Sequence, residues 1–382
     1  MEQRRRDLLK TITTLVGGSI LPLKADSQNV INKIDLKKGD PIDLSEIINL
    51  FDFEKLAENK MTKMAYEYVA SGAADEFTTR WNRQAFDAIK LNPTVLTDVT
   101  KLDTSVSLFG HKLAYPILVA PTAFHRIMHP EGELATARGA SVASTIYVIS
   151  SFTTTPLEEI AKVATQPLWF QLYVRDDRAF TKEVVQKAES QGCRALCVTV
   201  DTPVAGARNR QQRVKFKLPN DVKAPYMVSL GPQKTPLTWA DIEWLKSFAK
   251  IPVLVKGILN PDDAEKALQA GVSGIIVSNH SGRNLDTVPA TIEVLPRIAE
   301  RVNKRVPILM DGGIRRGTDV LKAIALGANA VLVGKPICFG LACGGAEGVA
   351  KVLDILKYEF ELAMALSGRA TIDSIDKSLI WK

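Results

Sequence analysis

Cysteine and histidine are both scarce in this chain of 382 residues, with four of each. Cys193, Cys197, Cys338 and Cys343 form no C-x-x-C pair and have no histidines at zinc-ligand spacing, which excludes a zinc ribbon or finger. Four thiols in so long a chain make no disulfide framework, and they read as small buried hydrophobes. A stripe of cations interleaved with aromatics is also missing, so the formal net charge of +7 does not point to nucleic acid. A modest cationic surplus suits small anionic ligands instead. No G-x-G-x-x-G follows the first apolar run, which removes the usual dinucleotide site. No serine lies in a G-x-S-x-G elbow, which removes the commonest hydrolase arrangement.

Apolar runs long enough to cross a bilayer comfortably are absent too. The N-terminus carries MEQRRRDLLK, then an apolar stretch of thirteen residues, TITTLVGGSILPL. Arg5-Arg6-x-Leu8-Leu9-Lys10 resembles a twin-arginine export signal, although Leu23 stands where a small residue is expected before Ala25. Residues 1–26 are therefore expected to be an export signal or an uncleaved membrane anchor, with the protein exported to the periplasm. A cytoplasmic protein with a basic tail is the alternative. Residues 27–42 read as a polar linker, and 43–90 as helical, with Asp43 and Glu46 spaced like a capping box.

From there a repeated pattern takes over. Short runs rich in Val, Ile and Leu fall at 116–120, 145–149, 168–174, 195–200, 252–255, 274–277, 306–310 and 330–333. Most show no polar alternation, so they fit strands covered on both faces, as in a parallel sheet. Amphipathic, helix-like segments follow them at 131–143, 157–164, 178–191, 239–249, 261–270, 291–303, 317–326 and 346–366. Eight strands each followed by a helix is the (β/α)8 count, and the expected fold is a TIM barrel with an N-terminal helical extension. A doubly wound sheet is the competitor. After the fourth strand, residues 202–238 form a long loop with five prolines, a candidate lid at the barrel mouth.

In such a barrel the active site gathers at the C-terminal ends of the strands. Those ends carry Thr122, Ser150, Gln171 and Tyr173, Thr199 and Asp201, Lys256, Ser278 and His280, Asp311 to Gly313, and Gly334-Lys335. A scaffold barrel needs no such polar ring, which favours an enzyme. Loops seven and eight, DGGIRRG (311–317) and GKP (334–336), have glycines that let backbone N–H groups approach an anion, with Arg315 and Lys335 adding charge. Lys256, framed by VLVKG, needs an anionic partner or a shifted pKa, or it forms a Schiff base. Neutral donors and acceptors beside a phosphate site describe a phosphorylated ring cofactor such as FMN. His280 can take a proton near neutral pH, with Asp201 to hold its cation. Arg208 and Arg283 are planar forks fit for a carboxylate, and Tyr68 and Tyr173 can donate to a substrate oxygen.

Taken together, YEYVASGAADE (66–76), APTAFHRIMHPEGE (120–133), FQLYV (170–174), TVDTPVAGAR (199–208), VLVKG (253–257), SNHSGRNLD (278–286), DGGIRRGTD (311–319) and VGKP (333–336) resemble the FMN-dependent α-hydroxy-acid oxidases and dehydrogenases, across about residues 43–375. The resemblance implies a TIM barrel with FMN at its mouth and oxidation of a small L-2-hydroxy acid, lactate or glycolate, to the 2-oxo acid. It implies His280 as base with Asp201, Arg208 and Arg283 as carboxylate clamp, and Tyr68 and Tyr173 at the substrate hydroxyl. Lys256 would face the flavin ring. Thr122, Ser150, Gln171, Thr199 and Ser278 would contact cofactor, and Asp311, Gly313, Arg315, Gly334 and Lys335 its ribityl chain and phosphate. Electrons would pass to O2, giving peroxide, or alternatively to a quinone or cytochrome. A homotetramer is implied, and no metal.

Departures from the pattern are Ser281, where glycine is usual, Asn284 for glutamine, and Lys335 for arginine. Phe152, at a position that shapes substrate size, suggests a small acid. A non-catalytic FMN barrel and a lysine Schiff-base aldolase are the other classes in competition.

Overall fold

The computed structural model describes residues 42–226 and 236–381. The twin-arginine-like segment 1–26 and the linker, apart from residue 42, lie outside the described residues, as do 227–235 of the loop after the fourth barrel strand.

Residues 43–90, expected to be helical, form three helices: α1 (Leu50–Lys60), α2 (Lys63–Ala70) and α3 (Phe77–Ala88). The capping box does not fall at Asp43 and Glu46. Those residues bracket a single 3-10 turn in which the Asp43 side chain accepts from Ser45 N. The box forms at Asn49 and Asp52, which satisfy the first N–H groups of α1.

A hairpin absent from the sequence reading comes next, β1 (Val106–Leu108) paired with β2 (His111–Leu113). Then eight parallel strands close into a barrel: β3 (Ile117–Val119), β4 (Tyr147–Ser150), β5 (Leu168–Leu172), β6 (Leu196–Thr199), β7 (Val253–Ile258), β8 (Gly274–Val277), β9 (Ile308–Asp311) and β10 (Ala330–Val333). β10 pairs with β3 to complete the ring. These strands overlap the eight apolar runs, and the doubly wound alternative is excluded by closure.

Alternate strand residues fill the barrel. Leu118, Val148, Trp169, Cys197, Leu254, Ile276, Leu309 and Leu332 form one buried cluster with Leu108 and Leu113 of the hairpin. Phe109 at the hairpin turn sets its ring edge-on to Trp169 and abuts Gly274 at the start of β8, so the hairpin plugs the N-terminal end. With that end packed, the opposite end is free for chemistry.

Outer helices α4 (Gly132–Val142), α5 (Leu157–Val163), α6 (Arg178–Ser190), α8 (Trp239–Lys246), α9 (Pro261–Gln269), α10 (Thr291–Val302) and α11 (Gly317–Ala325) follow successive strands, with short α7 (Asn209–Arg213) inside the long loop. The last helix, α12 (Lys335–Leu366), starts eleven residues before the expected 346. Gly344 and Gly345 leave helical geometry in its middle, which interrupts the apolar periodicity there. α12 is long and apolar enough to cross a membrane by composition, but it is mostly buried inside the fold.

Candidate active site

Side chains at the strand ends form linked pairs across the barrel mouth. Ser150 Oγ donates to Gln171 Oε1 at 3.1 Å, and Gln171 Nε2 to Thr199 Oγ1 at 2.9 Å, joining β4, β5 and β6. Lys256 on β7 donates to Ser278 Oγ at 2.8 Å and pairs with Asp311 Oδ2 at 3.0 Å, joining β8 and β9. Burial works against the Lys256 ammonium, but Asp311 and then Asp201 raise its pKa above the ordinary lysine value. It stays protonated, and a protonated amine is no nucleophile, which argues against the Schiff-base alternative.

His280 sits just past β8. Its Nδ1 lies 3.0 Å from Asp201 Oδ1, and its backbone N donates to Ser278 Oγ at 3.1 Å. Asp201 comes this close because Gly257, on β7, has φ +119 and no side chain. A Cβ there would lie 2.5 Å from Asp201 Cβ. Burial would raise the Asp201 pKa, but His280 and Lys256 bring it below the usual carboxylate value. Burial, Lys256 and Arg283 outweigh Asp201 at His280 and lower its pKa, so the ring is neutral at neutral pH. With Nδ1–H held by a carboxylate, Nε2 is left as the basic nitrogen. Tyr173 Oη lies 3.5 Å from it, and burial pushes that phenol up to about 12, so it remains a donor.

Two arginines stand beside His280. Arg283 Nη1 donates to Tyr68 O at 2.6 Å and Ser71 O at 3.0 Å, at the C-terminal end of α2. The guanidinium also lies over the Tyr68 ring, 5.2 Å from its centroid. Burial first, then Arg208, lowers its pKa to about 10. Arg208 Nε donates to Arg283 O at 3.3 Å. Lys335, at the start of α12, donates to Ala70 O at 2.7 Å on the same helix end. Burial, Arg283 and Arg315 lower its pKa to about 7. Arg208 works against the Arg283 charge and Arg283 against that of Lys335, which leaves an environment that an anion would relieve.

All the residues expected in the site, apart from Asp201 and Ser278, line one cavity of ≈ 720 Å³. Those two stand behind it, against His280 and Lys256. Phe124, Phe152, Phe216 and Tyr68 add an aromatic wall, with Phe152 stacked on Tyr173 at 4.9 Å and on Phe124 at 5.8 Å.

Several supports were not anticipated. Asn279 and Asn82 exchange side-chain hydrogen bonds of 2.9 and 2.8 Å. Asp286 accepts from the backbone N–H of Asp75, Phe77 and Thr78, capping α3. Together they brace the loop after β8. The fully buried Glu133 accepts from His125 N, Thr154 N and the Thr154 and Thr155 hydroxyls, and His125 Nε2 lies 2.5 Å from Thr122 Oγ1 in the cavity wall. Asn279 and Asp286 lie within SNHSGRNLD and Glu133 within HPEGE, so local motifs held the signal, but their partners are distant in sequence.

These residues fit FMN. Asp311 Oδ1 is buried without a hydrogen-bond partner, as a group awaiting a polyol hydroxyl would be. Gly313 has φ +79 and packs so tightly that a Cβ would lie 2.0 Å from Asn82 O, leaving its backbone open to the cavity beside Arg315 and Lys335. The neutral donors and acceptors of β4 to β6 suit the edge of a polar ring.

The FMN-dependent dehydrogenase family matches residues 57–382. A 2-hydroxyacid oxidase of Dictyostelium discoideum is 46% identical over 365 residues, covering 92% of this chain and 94% of the relative. An L-lactate oxidase of Nostoc is 42% identical, covering 88% and 99%, and a glycolate oxidase of Spinacia oleracea 43% identical, covering 88% and 96%. Among solved structures, a mandelate oxidase with (S)-2-phenylpropionate superposes with a TM-score of 0.83 at 39% identity, covering 88% of this chain and 98% of that one. By sequence along nearly the full length of these relatives, and by a shared barrel, the chain belongs to the FMN-dependent dehydrogenase family.

Proposed function

We propose that this protein oxidises a small L-2-hydroxy acid, lactate or glycolate, to the 2-oxo acid and passes the electrons to O2, forming hydrogen peroxide. One observation carries the reading: a histidine held by a carboxylate shares its cavity with two half-buried arginines and a separate cationic cradle. The names of relatives more than 40% identical support it.

FMN, when bound, supplies the two-electron acceptor. The chain does the rest. Arg208 and Arg283 hold the substrate carboxylate, which fixes the α carbon near His280. His280 Nε2 accepts the proton released as that carbon is oxidised, and Asp201 stabilises the imidazolium. Tyr173 donates to the substrate hydroxyl oxygen. Lys256, cationic beneath the mouth, stabilises negative charge that develops on the ring side. The aromatic wall of Phe124, Phe152 and Phe216 limits the acid's side chain and excludes water.

The test is anaerobic mixing of the purified yellow protein with lactate, glycolate and mandelate, then admission of air. Bleaching by lactate or glycolate, fast reoxidation and stoichiometric peroxide are expected. A flavin that lactate reduces but air reoxidises only slowly, while a quinone or cytochrome does so quickly, would replace the oxidase by a dehydrogenase. His280→Ala is expected to lose at least ~10³-fold in the rate of bleaching.

The N-terminal Arg5-Arg6 pair further supports twin-arginine export of the FMN-loaded protein, with the uncleaved segment as membrane anchor the other outcome. Export should fail when both arginines are changed to lysine, read by fractionation. The family resemblance favours a homotetramer, which sedimentation reads directly.

A further inference from the structure

Asn284 touches both the base pair and the arginine clamp. Its Nδ2 donates to Asp201 O at 3.0 Å and to Thr202 Oγ1 at 2.7 Å. Its Oδ1 accepts from Arg208 Nη2 at 3.4 Å. The opposite amide orientation would set oxygen against the Asp201 carbonyl and NH2 against a guanidinium, so the network fixes which atom is which. Thr202 has one hydroxyl proton. Since the hydroxyl oxygen accepts from Asn284, that proton goes to Asp201 Oδ1, 3.0 Å away. His280 Nδ1 approaches the same oxygen, while Asp201 Oδ2 is buried without a partner.

The donors therefore run one way, from the Asn284 amide through the Thr202 hydroxyl to the carboxylate, and His280 meets them from the other side. A carboxylate gives no proton back and an amide NH2 accepts none, so the chain cannot reverse. In a buried, low-dielectric setting each link polarises the next.

We infer that Asn284 is a positioning residue that couples the carboxylate clamp to the base, holding Arg208 with one end and moderating the pull of Asp201 on His280 through Thr202 with the other. It rests on the reading of His280 as base and Arg208 as clamp. Besides Asp201, the charged or titratable groups facing His280 are Lys256 from β7, Arg283 from its own loop and Tyr173 just past β5. None of their side chains bonds to Thr202 or Asn284, and Thr202→Val leaves the Arg208 contact with Asn284 in place.

Removing the hydroxyl donor leaves Asp201 a stronger acceptor and favours the imidazolium, so the His280 titration should move to higher pH. With four histidines in the chain, 15N-histidine NMR of the full-length, FMN-loaded protein can follow it. Thr202→Val is expected to raise the His280 midpoint by ~0.5–1 unit, and Asn284→Ala, which keeps the hydroxyl and removes only its polarising donor, to move it in the same direction by less. Thr202→Ser, which keeps the hydroxyl, should match wild type, and the Thr202→Val/Asn284→Ala double variant should move no further than Thr202→Val. KM for the hydroxy acid should rise several-fold in Asn284→Ala, where Arg208 loses its amide, and stay near wild type in Thr202→Val. Thr202→Val is close to isosteric and carries the test if Asn284→Ala does not fold. An unmoved His280 midpoint in Thr202→Val, or an equal move in Thr202→Ser, overturns the inference. The titration reads His280 whether or not lactate is oxidised. A shift in a protein that never oxidises a hydroxy acid would overturn the oxidase reading and keep the relay.

Discussion

Lys335 shows what a single buried charge can report. Burial, with Arg283 and Arg315 acting against its ammonium, brings its pKa to about 7. A phosphate in the cradle would reverse the imbalance and hold the amine cationic. In the free protein Lys335 loses its proton as pH rises through about 7, whereas in the FMN complex it keeps it. Binding above that pH therefore takes up a proton, and FMN affinity should fall by up to ~10-fold per pH unit. Quenching of flavin fluorescence titrated from pH 6 to 9 checks this. Lys335→Met should bind weakly at every pH, with a flat profile. Lys335→Arg should bind tightly with a flat profile, because a guanidinium keeps its proton across that range. A wild-type affinity that ignores pH would remove Lys335 from the phosphate. GKP pointed to the cation from sequence alone. That Lys335 and Arg283 both lean on the C-terminal carbonyls of α2 was not legible, because that contact joins residues 265 apart.

The loop after β8 is an element held against its own backbone preference. His280, Ser281 and Gly282 take φ values of +54, +57 and +72, and only glycine does so without cost. The bracing by Asn82, by the α3 N-terminus and by Thr79, whose hydroxyl donates to Ser281 O at 3.2 Å, imposes the geometry that aims the His280 ring. Ser281→Gly should relieve about 0.5–1 kcal/mol of that strain and raise the melting temperature by ~1–3 °C. Lactate turnover should stay near wild type. A lower melting temperature, or a dead enzyme in the same thermal and turnover assays, would show that the serine hydroxyl is required. At this scale apolar runs located every barrel strand, since a strand covered on both faces needs no second signal. The hairpin escaped because VSL and HKL are three-residue strands of mixed polarity. The start of α12 escaped because GKP reads as a turn and the two mid-helix glycines split its pattern.

Across the whole molecule, cofactor and fold depend on one another. Asn82 to Asn279 and Thr202 to Asn284 are contacts between distant segments, invisible to periodicity, and they brace the loop that carries His280 and Arg283. Arg283 and Arg315 both work against the Lys335 ammonium, which sits where α2 meets the barrel, and Asp311 Oδ1 has no hydrogen-bond partner in the protein. Removing FMN should therefore lower the melting temperature, and adding it back should restore it in proportion to the logarithm of concentration, with ~2.7 kcal/mol gained at one hundred times Kd. Riboflavin has the same ring and ribityl chain but no phosphate. It can satisfy Asp311 and the neutral ring of β4 to β6, yet it leaves the three cations unrelieved. At equal concentration riboflavin should restore only part of the stability, and the gap between the two ligands should narrow in Lys335→Met. Equal stabilisation by FMN and riboflavin in wild type would mean that the cradle of Gly313, Arg315 and Lys335 does not hold the phosphate.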